Sequence, residues 1–152
     1  MKIAIIADTH DNWANFSKAI KWIAKEKIQL ILHCGDIQSQ ETIGDAKKLF
    51  NGEIYFVKGN GDWQMEVPEF LELKIGDKKI GLVHFPAEAK KMAQSGKFDL
   101  VFYGHTHRPW DEKVGKCHMI NPGELAGQFY KSTFAVYNTD TENLELKILE
   151  KL

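Results

Sequence analysis

Apolar runs and helical patterns alternate along the N-terminal part of the chain. The continuous apolar run at 3–7 is typical of a strand buried on both faces of a parallel sheet. Behind it, apolar residues recur at helical spacing over 13–23, which predicts a helix ending near Lys25. The same order continues with a strand at 29–32, a helix at about 39–50 and a strand at 54–57. This repetition predicts right-handed crossovers and a parallel sheet.

The pattern changes after Pro68. Strand-like segments at 70–75 and 79–84 flank a short polar turn, which predicts an antiparallel hairpin. A turn is also expected at 121–123. The other predicted elements are a helix at about 87–95, a strand at 99–103 and three antiparallel strands at 113–120, 133–138 and 144–149. The mixed order predicts an α/β fold of two sheets packed face to face, with helices outside.

Composition and charge narrow the class of protein. A length of 152 residues suits one core, so we expect a single domain over 1–152. Lys and Arg total 20 against 21 Asp and Glu, and this net charge of −1 gives no general attraction to nucleic acid or to an anionic membrane. Cys34 and Cys117 are too few for a disulfide framework. The N-terminal apolar run is too short to span a bilayer, so a cytoplasmic location is expected.

Residues of metal-binding type follow several of the predicted strands. They are Asp8, His10, Asp36, Asn60, His84, His105 and His107. One such residue alone is usually a helix cap or a hydrogen-bonded structural side chain. Five strand ends that all carry Asp, Asn or His exceed what capping requires. Because ligands bind where the carboxyl ends of parallel strands meet, the set predicts a metal site at that edge.

The order of these residues resembles that of the calcineurin-like metallophosphoesterases. The likeness is carried by Asp8-Thr9-His10, Gly35-Asp36, Gly59-Asn60, the strand-end His84, and Gly104-His105-Thr106-His107. Asn121-Pro122-Gly123 is similar to the family's N-P-G turn. Each motif is common alone, but the ordered set is specific and is most similar to the short prokaryotic phosphodiesterase branch. The resemblance implies an α/β/β/α four-layer sandwich.

The same resemblance implies two divalent metal ions. It assigns Asp8, His10 and His107 to one ion, Asn60, His84 and His105 to the other, and Asp36 as the bridging carboxylate. Imidazole and carboxylate ligands suit manganese, which we expect first, and also nickel, zinc, iron or cobalt. Two such ions activate a bridging hydroxide as nucleophile and stabilise the phosphoryl group. Asp36, Asn60 and His105 are therefore expected to act in catalysis.

Three positions bear on the substrate. Arg108, the single arginine, directly follows His107 and is expected to bind the substrate together with Asn60; a solvated loop cation is the alternative. Many relatives carry a proton-donating His after the Asn, whereas this chain has Gly61, which favours diesters over alkyl monoesters. Phe85 after the strand-end histidine predicts an apolar pocket wall.

The expected activity is hydrolysis of phosphodiester bonds in a small molecule. No stable binding to nucleic acid and no membrane partner are expected, and a homodimer is left open. The alternatives are a phosphomonoesterase or nucleotide phosphatase on the same site, a nuclease acting on short ends, and a non-catalytic scaffold resembling a retromer subunit. Against the scaffold, every ligand position holds a residue able to bind metal.

Five further polar or aromatic residues have expected roles outside the ligand set. Asp62 is expected either to orient a metal ligand or to form a turn, and His33 to be structural. His118 is interpreted as a packing residue of a strand. Trp63 and Trp110 follow motif loops, where they either line the mouth of the pocket or have no role in the site.

Overall fold

A computed structural model of the chain describes residues 1–152. The strands are Lys2–Ile6 (β1), Leu30–His33 (β2), Glu53–Phe56 (β3), Phe70–Ile75 (β4), Lys78–Val83 (β5), Leu100–Phe102 (β6), Pro109–Val114 (β7), Cys117–Pro122 (β8), Thr133–Asn138 (β9) and Leu144–Ile148 (β10). The helices are Trp13–Lys25 (α1), Gln40–Leu49 (α2) and Pro86–Gln94 (α3), followed at the C-terminus by a 3-10 turn, Leu149–Lys151. None of these helices has both the length and the apolarity needed to cross a membrane.

The strands form two mixed sheets of five. In the first sheet the order is β10-β9-β1-β2-β3, and β1, β2 and β3 are parallel, as the strand and helix alternation predicts. In the second sheet the order is β4-β5-β6-β8-β7, with β5, β6 and β8 parallel and an antiparallel strand at each edge. The parallel strands of each sheet therefore end at a common edge.

Three separate apolar clusters show how the layers stack. Side chains alternate along β1, so Ala4 and Ile6 join the cluster beneath α1 and α2. Ile3 and Ile5 point the other way, into the cluster between the two sheets. A third cluster lies between the second sheet and α3, where Ala89 is fully buried. The order is helices, sheet, sheet, helix, which confirms the predicted α/β/β/α sandwich.

The predicted strand at 113–120 is wrong. The chain reverses at Gly115, whose φ of 59° lies in the left-handed region open to glycine, and β7 and β8 form a hairpin. Strand β8 then runs parallel to β6, so it is antiparallel only to β7. Asn121 and Pro122 end β8 instead of forming the expected turn, which begins at Gly123 with a φ of 80°.

Candidate metal centre

The structure brings all seven predicted ligand residues together at one edge of the sandwich. They follow the parallel strands: Asp8 and His10 after β1, Asp36 after β2, Asn60 after β3, His84 after β5, and His105 and His107 after β6. Because the two sheets pack face to face, the loops of one sheet meet those of the other across this edge.

Asp8, His10 and His107 form one half of the site. The Nε2 atoms of His10 and His107 are 3.0 Å apart, and they lie 3.7 and 3.6 Å from Oδ1 of Asp8. Ligand atoms that bind one ion at ~2.1 Å are separated by roughly 3.0–3.4 Å in tetrahedral or octahedral geometry. The distance between the two histidines lies in this range and the two distances to Asp8 exceed it by a few tenths of an ångström, so a small movement of the side chains would bring all three ligand atoms onto one divalent cation.

The second half of the site contains Asn60, His84 and His105. Oδ1 of Asn60 lies 3.0 Å from Nε2 of His84 and 3.1 Å from Nδ1 of His105. Asp36 lies between the halves, with its Oδ2 3.5 Å from Nε2 of His84 and 3.6 Å from Nε2 of His10. A carboxylate in this position faces both ligand sets at once.

Two observations test whether these residues fit a cation. Oδ1 of Asp8 is buried and has no hydrogen-bond partner, while Oδ2 accepts the backbone N–H of His105 at 3.0 Å. Such an orphaned carboxylate oxygen is costly unless a cation faces it. Nδ1 of His84 donates to the carbonyl of Cys34 at 2.7 Å, so its Nε2 presents a lone pair toward Asp36. Both features fit a divalent ion.

Glu124 supports one ligand from behind. Its buried carboxylate accepts a hydrogen bond from Nδ1 of His107, and its other oxygen accepts the backbone N–H groups of Phe129 at 2.7 Å and Tyr130 at 3.0 Å. This contact fixes the tautomer of His107 with its Nε2 lone pair toward Asp8. Sequence reasoning missed Glu124; the available signal was an acidic residue directly after the N-P-G motif.

His10 has a second polar neighbour and a perturbed pKa. The Gln38 amide lies 2.7 Å from Nδ1 of His10, a contact that sequence reasoning also missed although Gln38 is close to the Gly-Asp motif. The Asp8 carboxylate, assisted by Asp36 and Glu124, raises the pKa of His10 above 6.5, against the opposing effect of burial. The concentrated negative charge therefore favours a cation at this position, either a proton or a metal ion.

The glycines before Asp36, Asn60 and His105 have a steric reason. A Cβ atom on Gly59 would lie 2.2 Å from Oδ1 of Asp36, and one on Gly35 would lie 2.7 Å from Nδ1 of His84. Gly35 also has a φ of 100°, which side chains rarely allow. Gly104 is similarly crowded. The Gly-Asp, Gly-Asn and Gly-His motifs therefore allow loops from different strands to approach closely.

Asp62 clamps two loops together. Its buried carboxylate accepts the backbone N–H groups of Asp36 at 2.7 Å, Ile37 at 3.2 Å, Gln38 at 2.6 Å and Gly59 at 2.9 Å. It has no hydrogen bond to a ligand side chain, so of the two predicted roles its contacts with Gly59 fit the turn and not the orientation of a ligand. The four backbone contacts use both carboxylate oxygens and hold the loop after β2 against the loop after β3.

The two tryptophans with alternative roles at the pocket mouth, Trp63 and Trp110, have different surroundings. Trp63 lines a cavity that also includes Asn60. Trp110 lies on β7 beside a different cavity, so for this residue the alternative of no role in the site is the one that holds. Arg108 is exposed, and its guanidinium lies 5.6 Å from the centre of the Trp110 ring.

The remaining histidines lie outside the ligand set. His33 is buried and accepts the backbone N–H of Gly35 at 3.2 Å, while its Nε2 contacts Oγ1 of Thr9 at 2.5 Å. The predicted structural role of His33 is therefore confirmed. His118 pairs with Asp111 at 2.9 Å near the surface, a polar contact that the packing interpretation did not include.

The chain is similar to known phosphoesterases in sequence and in fold. A phosphodiesterase of Methanocaldococcus jannaschii is 32% identical over 99% of this chain and 100% of its own length. A solved archaeal phosphodiesterase gives a TM-score of 0.89 at 29% identity, covering 97% of this chain and 99% of that one. Vps29 of Entamoeba histolytica, solved with Zn²⁺, shares the fold with a TM-score of 0.75 at 22% identity over 96% of this chain and 90% of its own.

A family model, the calcineurin-like phosphoesterase superfamily domain, matches residues 1–142. The relative from Methanocaldococcus jannaschii aligns along its whole length, so the similarity is not confined to the motifs. On this evidence the chain belongs to the calcineurin-like phosphoesterase superfamily and is a metal-dependent hydrolase of phosphoric esters.

Proposed function

We propose that this protein is a phosphodiesterase with two divalent metal ions. Asp8, His10 and His107 hold one ion, Asn60, His84 and His105 hold the other, and Asp36 bridges them. The observation that carries the proposal is the position of Asp36, whose Oδ2 lies 3.6 Å from His10 Nε2 and 3.5 Å from His84 Nε2. The name of the relative from Methanocaldococcus jannaschii supports the diester activity.

Two divalent ions held by these residues would make a hydroxide available as nucleophile near neutral pH and would stabilise negative charge on the phosphoryl oxygens. The residues of the site differ in burial, and we assign them different roles accordingly. Asp8, Asp36 and His84 are buried and rigidly hydrogen-bonded, so they fix the positions of the ligand atoms. Asn60 and His105 are exposed at the rim, where a substrate enters, and we assign them to catalysis together with Asp36.

The donor set also bears on the metal. Four imidazoles, two carboxylates and one amide are softer than the all-oxygen sites preferred by calcium and magnesium. Manganese is the proposed metal, and nickel, zinc, iron and cobalt suit the same ligands. Availability in the cell decides among such metals more than affinity does.

The surroundings of Asn60 favour diesters. Its neighbour Gly61 has no side chain and donates its N–H to Oδ1 of Asp36 at 2.8 Å, so this position offers no proton to a departing alkoxide. Alkyl monoesters depend most on such a proton donor. We also assign the exposed Arg108 to binding of the substrate phosphate, because it directly follows a proposed ligand and presents a planar, permanently charged guanidinium.

Metal analysis and paired substrates test the proposal. Protein reconstituted with Mn²⁺ should hold two ions per chain and hydrolyse bis-p-nitrophenyl phosphate faster than p-nitrophenyl phosphate. Asp36→Ala should lose one or both ions and lower kcat by about 100-fold or more, since the bridge between the ligand sets is gone. Asp77→Ala, in the exposed turn between β4 and β5, is the matched control and should behave as wild type. A single ion per chain, or full activity in Asp36→Ala, would refute the dinuclear mechanism.

A further inference from the structure

A large cavity lies beside the proposed metal centre. Its volume is about 540 Å³, and Asn60 lines both this cavity and the metal centre. Trp63, Phe70 and Phe85 line it and are 74%, 56% and 36% exposed. Ligand pockets are typically ~300–1,000 Å³ and largely apolar. The cavity therefore has the size and the lining of a binding site for a small organic group, and we refer to it as the aromatic cavity.

Regular secondary structure forms the walls of the aromatic cavity. Phe70 on the edge strand β4 pairs in register with Val83 on β5. The opposite wall is one face of α3, where Glu88, Lys91 and Met92 recur at helical spacing. A binding site built on a strand pair and a helix is held more rigidly than one built on loops alone. Phe70 is thus presented on this frame, Phe85 directly precedes α3 as its N-cap residue, and Trp63 lies in the loop after β3.

Phe85 connects the cavity to the second half of the metal centre. The centre of its ring lies 5.0 Å from that of His84 and 5.1 Å from that of His105. Asn60 contacts both histidines through its Oδ1. A phosphoryl group held at these three side chains would therefore direct one of its ester substituents into the aromatic cavity.

The charges around the cavity indicate which substituent fits. The lining contains three glutamates and two lysines, a formal balance of −1. They are Glu69, Glu72, Glu88, Lys58 and Lys91. Without a surplus of positive charge, the cavity offers little to a second phosphate or a carboxylate. Aromatic side chains favour a planar apolar group that can pack against their faces and edges.

We infer that the aromatic cavity is the subsite for a neutral aromatic ester group of the substrate, such as an aryl ring or a nucleobase. Trp63 and Phe70 are its specificity-determining residues, and Phe85 separates the bound ring from His84 and His105. The inference rests on the proposed phosphoesterase site, because the phosphoryl group anchors the substrate there.

Binding of two phosphonates that differ in one substituent tests this inference. Calorimetry on the Mn²⁺-loaded protein should show phenylphosphonate binding about tenfold more tightly than methylphosphonate, since only phenyl reaches the aromatic side chains. In Trp63→Ala and in Phe70→Ala the ratio of the two Kd values should fall toward one. Trp110→Ala removes another exposed tryptophan, one outside the cavity, and should keep the ratio of the wild type.

The possible results separate the subsite from the proposed activity. Equal affinity for both phosphonates in the wild type, no binding of either, or a ratio unchanged in both cavity variants would overturn the subsite. A fall of the ratio in Trp110→Ala equal to that in the cavity variants would also overturn it. Failure to hydrolyse bis-p-nitrophenyl phosphate would refute the phosphodiesterase proposal, yet the phosphonate ratio would still decide the subsite.

Discussion

Glu124 illustrates how one buried carboxylate serves two elements of the centre. One oxygen orients His107 through its Nδ1, and the other accepts two backbone N–H groups of the loop at Phe129 and Tyr130. The ring of Phe129 in turn lies 5.2 Å from that of His107. The negative charge behind the imidazole makes its Nε2 a stronger donor to a cation, as carboxylates behind ligating histidines generally do.

Replacing Glu124 by Gln should weaken metal binding without removing a ligand. The neutral amide no longer increases the basicity of His107, so we expect the affinity for Mn²⁺ to fall about 10–100-fold. Calorimetric titration of the metal-free protein measures this change. Glu150→Gln, which removes an equivalent charge from an exposed pair with Lys131, should leave the affinity unchanged. Equal Mn²⁺ affinity in Glu124→Gln and the wild type would show that Glu124 only holds the loop.

The site residues that were predicted from the sequence differ from those that were missed. The former are marked by the local sequence around them, whereas the latter act through contacts with residues distant in the sequence. Asp8 and Asp36 each lie within three residues of the end of an apolar strand, and strand ends of a parallel sheet share an edge, so local pattern places them. Glu124 and Gln38 act through contacts that form only when the chain has folded. The contact between His10 and Gln38 spans 28 positions of the sequence, and no local pattern encodes such a pairing.

At the scale of elements, the loops that carry the proposed ligands depend on hydrogen bonds that tie them together and on glycines that let them approach closely. Asp62 ties the loop after β2 to the loop after β3 through four backbone N–H groups. The same two loops touch at Gly59, where a Cβ atom would lie 2.3 Å from the backbone nitrogen of Asp36. The two loops cannot move apart without breaking the hydrogen bonds that Asp62 makes between them.

Two glycine substitutions should therefore have opposite effects. Gly59→Ala forces the loops apart and should lower the free energy of unfolding by about 1–3 kcal/mol as well as the Mn²⁺ content. Gly44→Ala lies within α2 with no atom near its added Cβ, so it should raise that free energy by about 0.5–1 kcal/mol. Urea unfolding of the metal-free proteins measures both changes. The steric account fails if Gly59→Ala is as stable as Gly44→Ala.

The error at β7 and β8 also belongs to the element scale. Strand β7 is a partly exposed edge strand that follows the last ligand motif, so its polar residues Asp111 and Glu112 look like loop. The turn at Gly115 lies within an otherwise strand-like segment, so the hydrophobic pattern predicts a single strand there. Hydrophobic pattern thus locates buried strands such as β1 well, but it defines edge strands poorly, because edges bury little surface.

At the scale of the whole molecule, the layered arrangement of helices and sheets was predictable because the strands and the helices have different hydrophobic patterns. Runs that are apolar at every position, such as 3–7 and 30–32, must be covered on both faces. Here the helices cover one face and the second sheet covers the other. The order of strands within the second sheet could not be predicted. Strand β8 pairs directly with β6, although β7 lies between them in the sequence. That residues 1–152 form a single domain stays a prediction.

The buried His33 couples the stability of the whole fold to pH. Its ring packs between Phe16 and Phe56 at centre distances of 5.5 and 5.4 Å, and both ring nitrogens have partners. Burial lowers the pKa of His33 from 6.5 to about 4. The unfolded chain therefore binds this proton at a higher pH than the folded chain does. The folded state loses stability as the pH falls from 6.5 toward 4, by about 3 kcal/mol in all.

His33→Gln should make the fold less sensitive to acid. About 2 kcal/mol of this acid-dependent loss of stability falls between pH 7 and pH 5. Over this interval the free energy of unfolding should therefore decrease by about 2 kcal/mol less in the variant than in the wild type. Any loss of packing lowers its stability at both pH values and cancels in the difference. Urea unfolding with chelator present excludes metal loss as a cause. His118→Gln, at the surface pair with Asp111, should retain the acid sensitivity of the wild type. If His33→Gln retains it too, protonation of this ring is not what destabilises the fold.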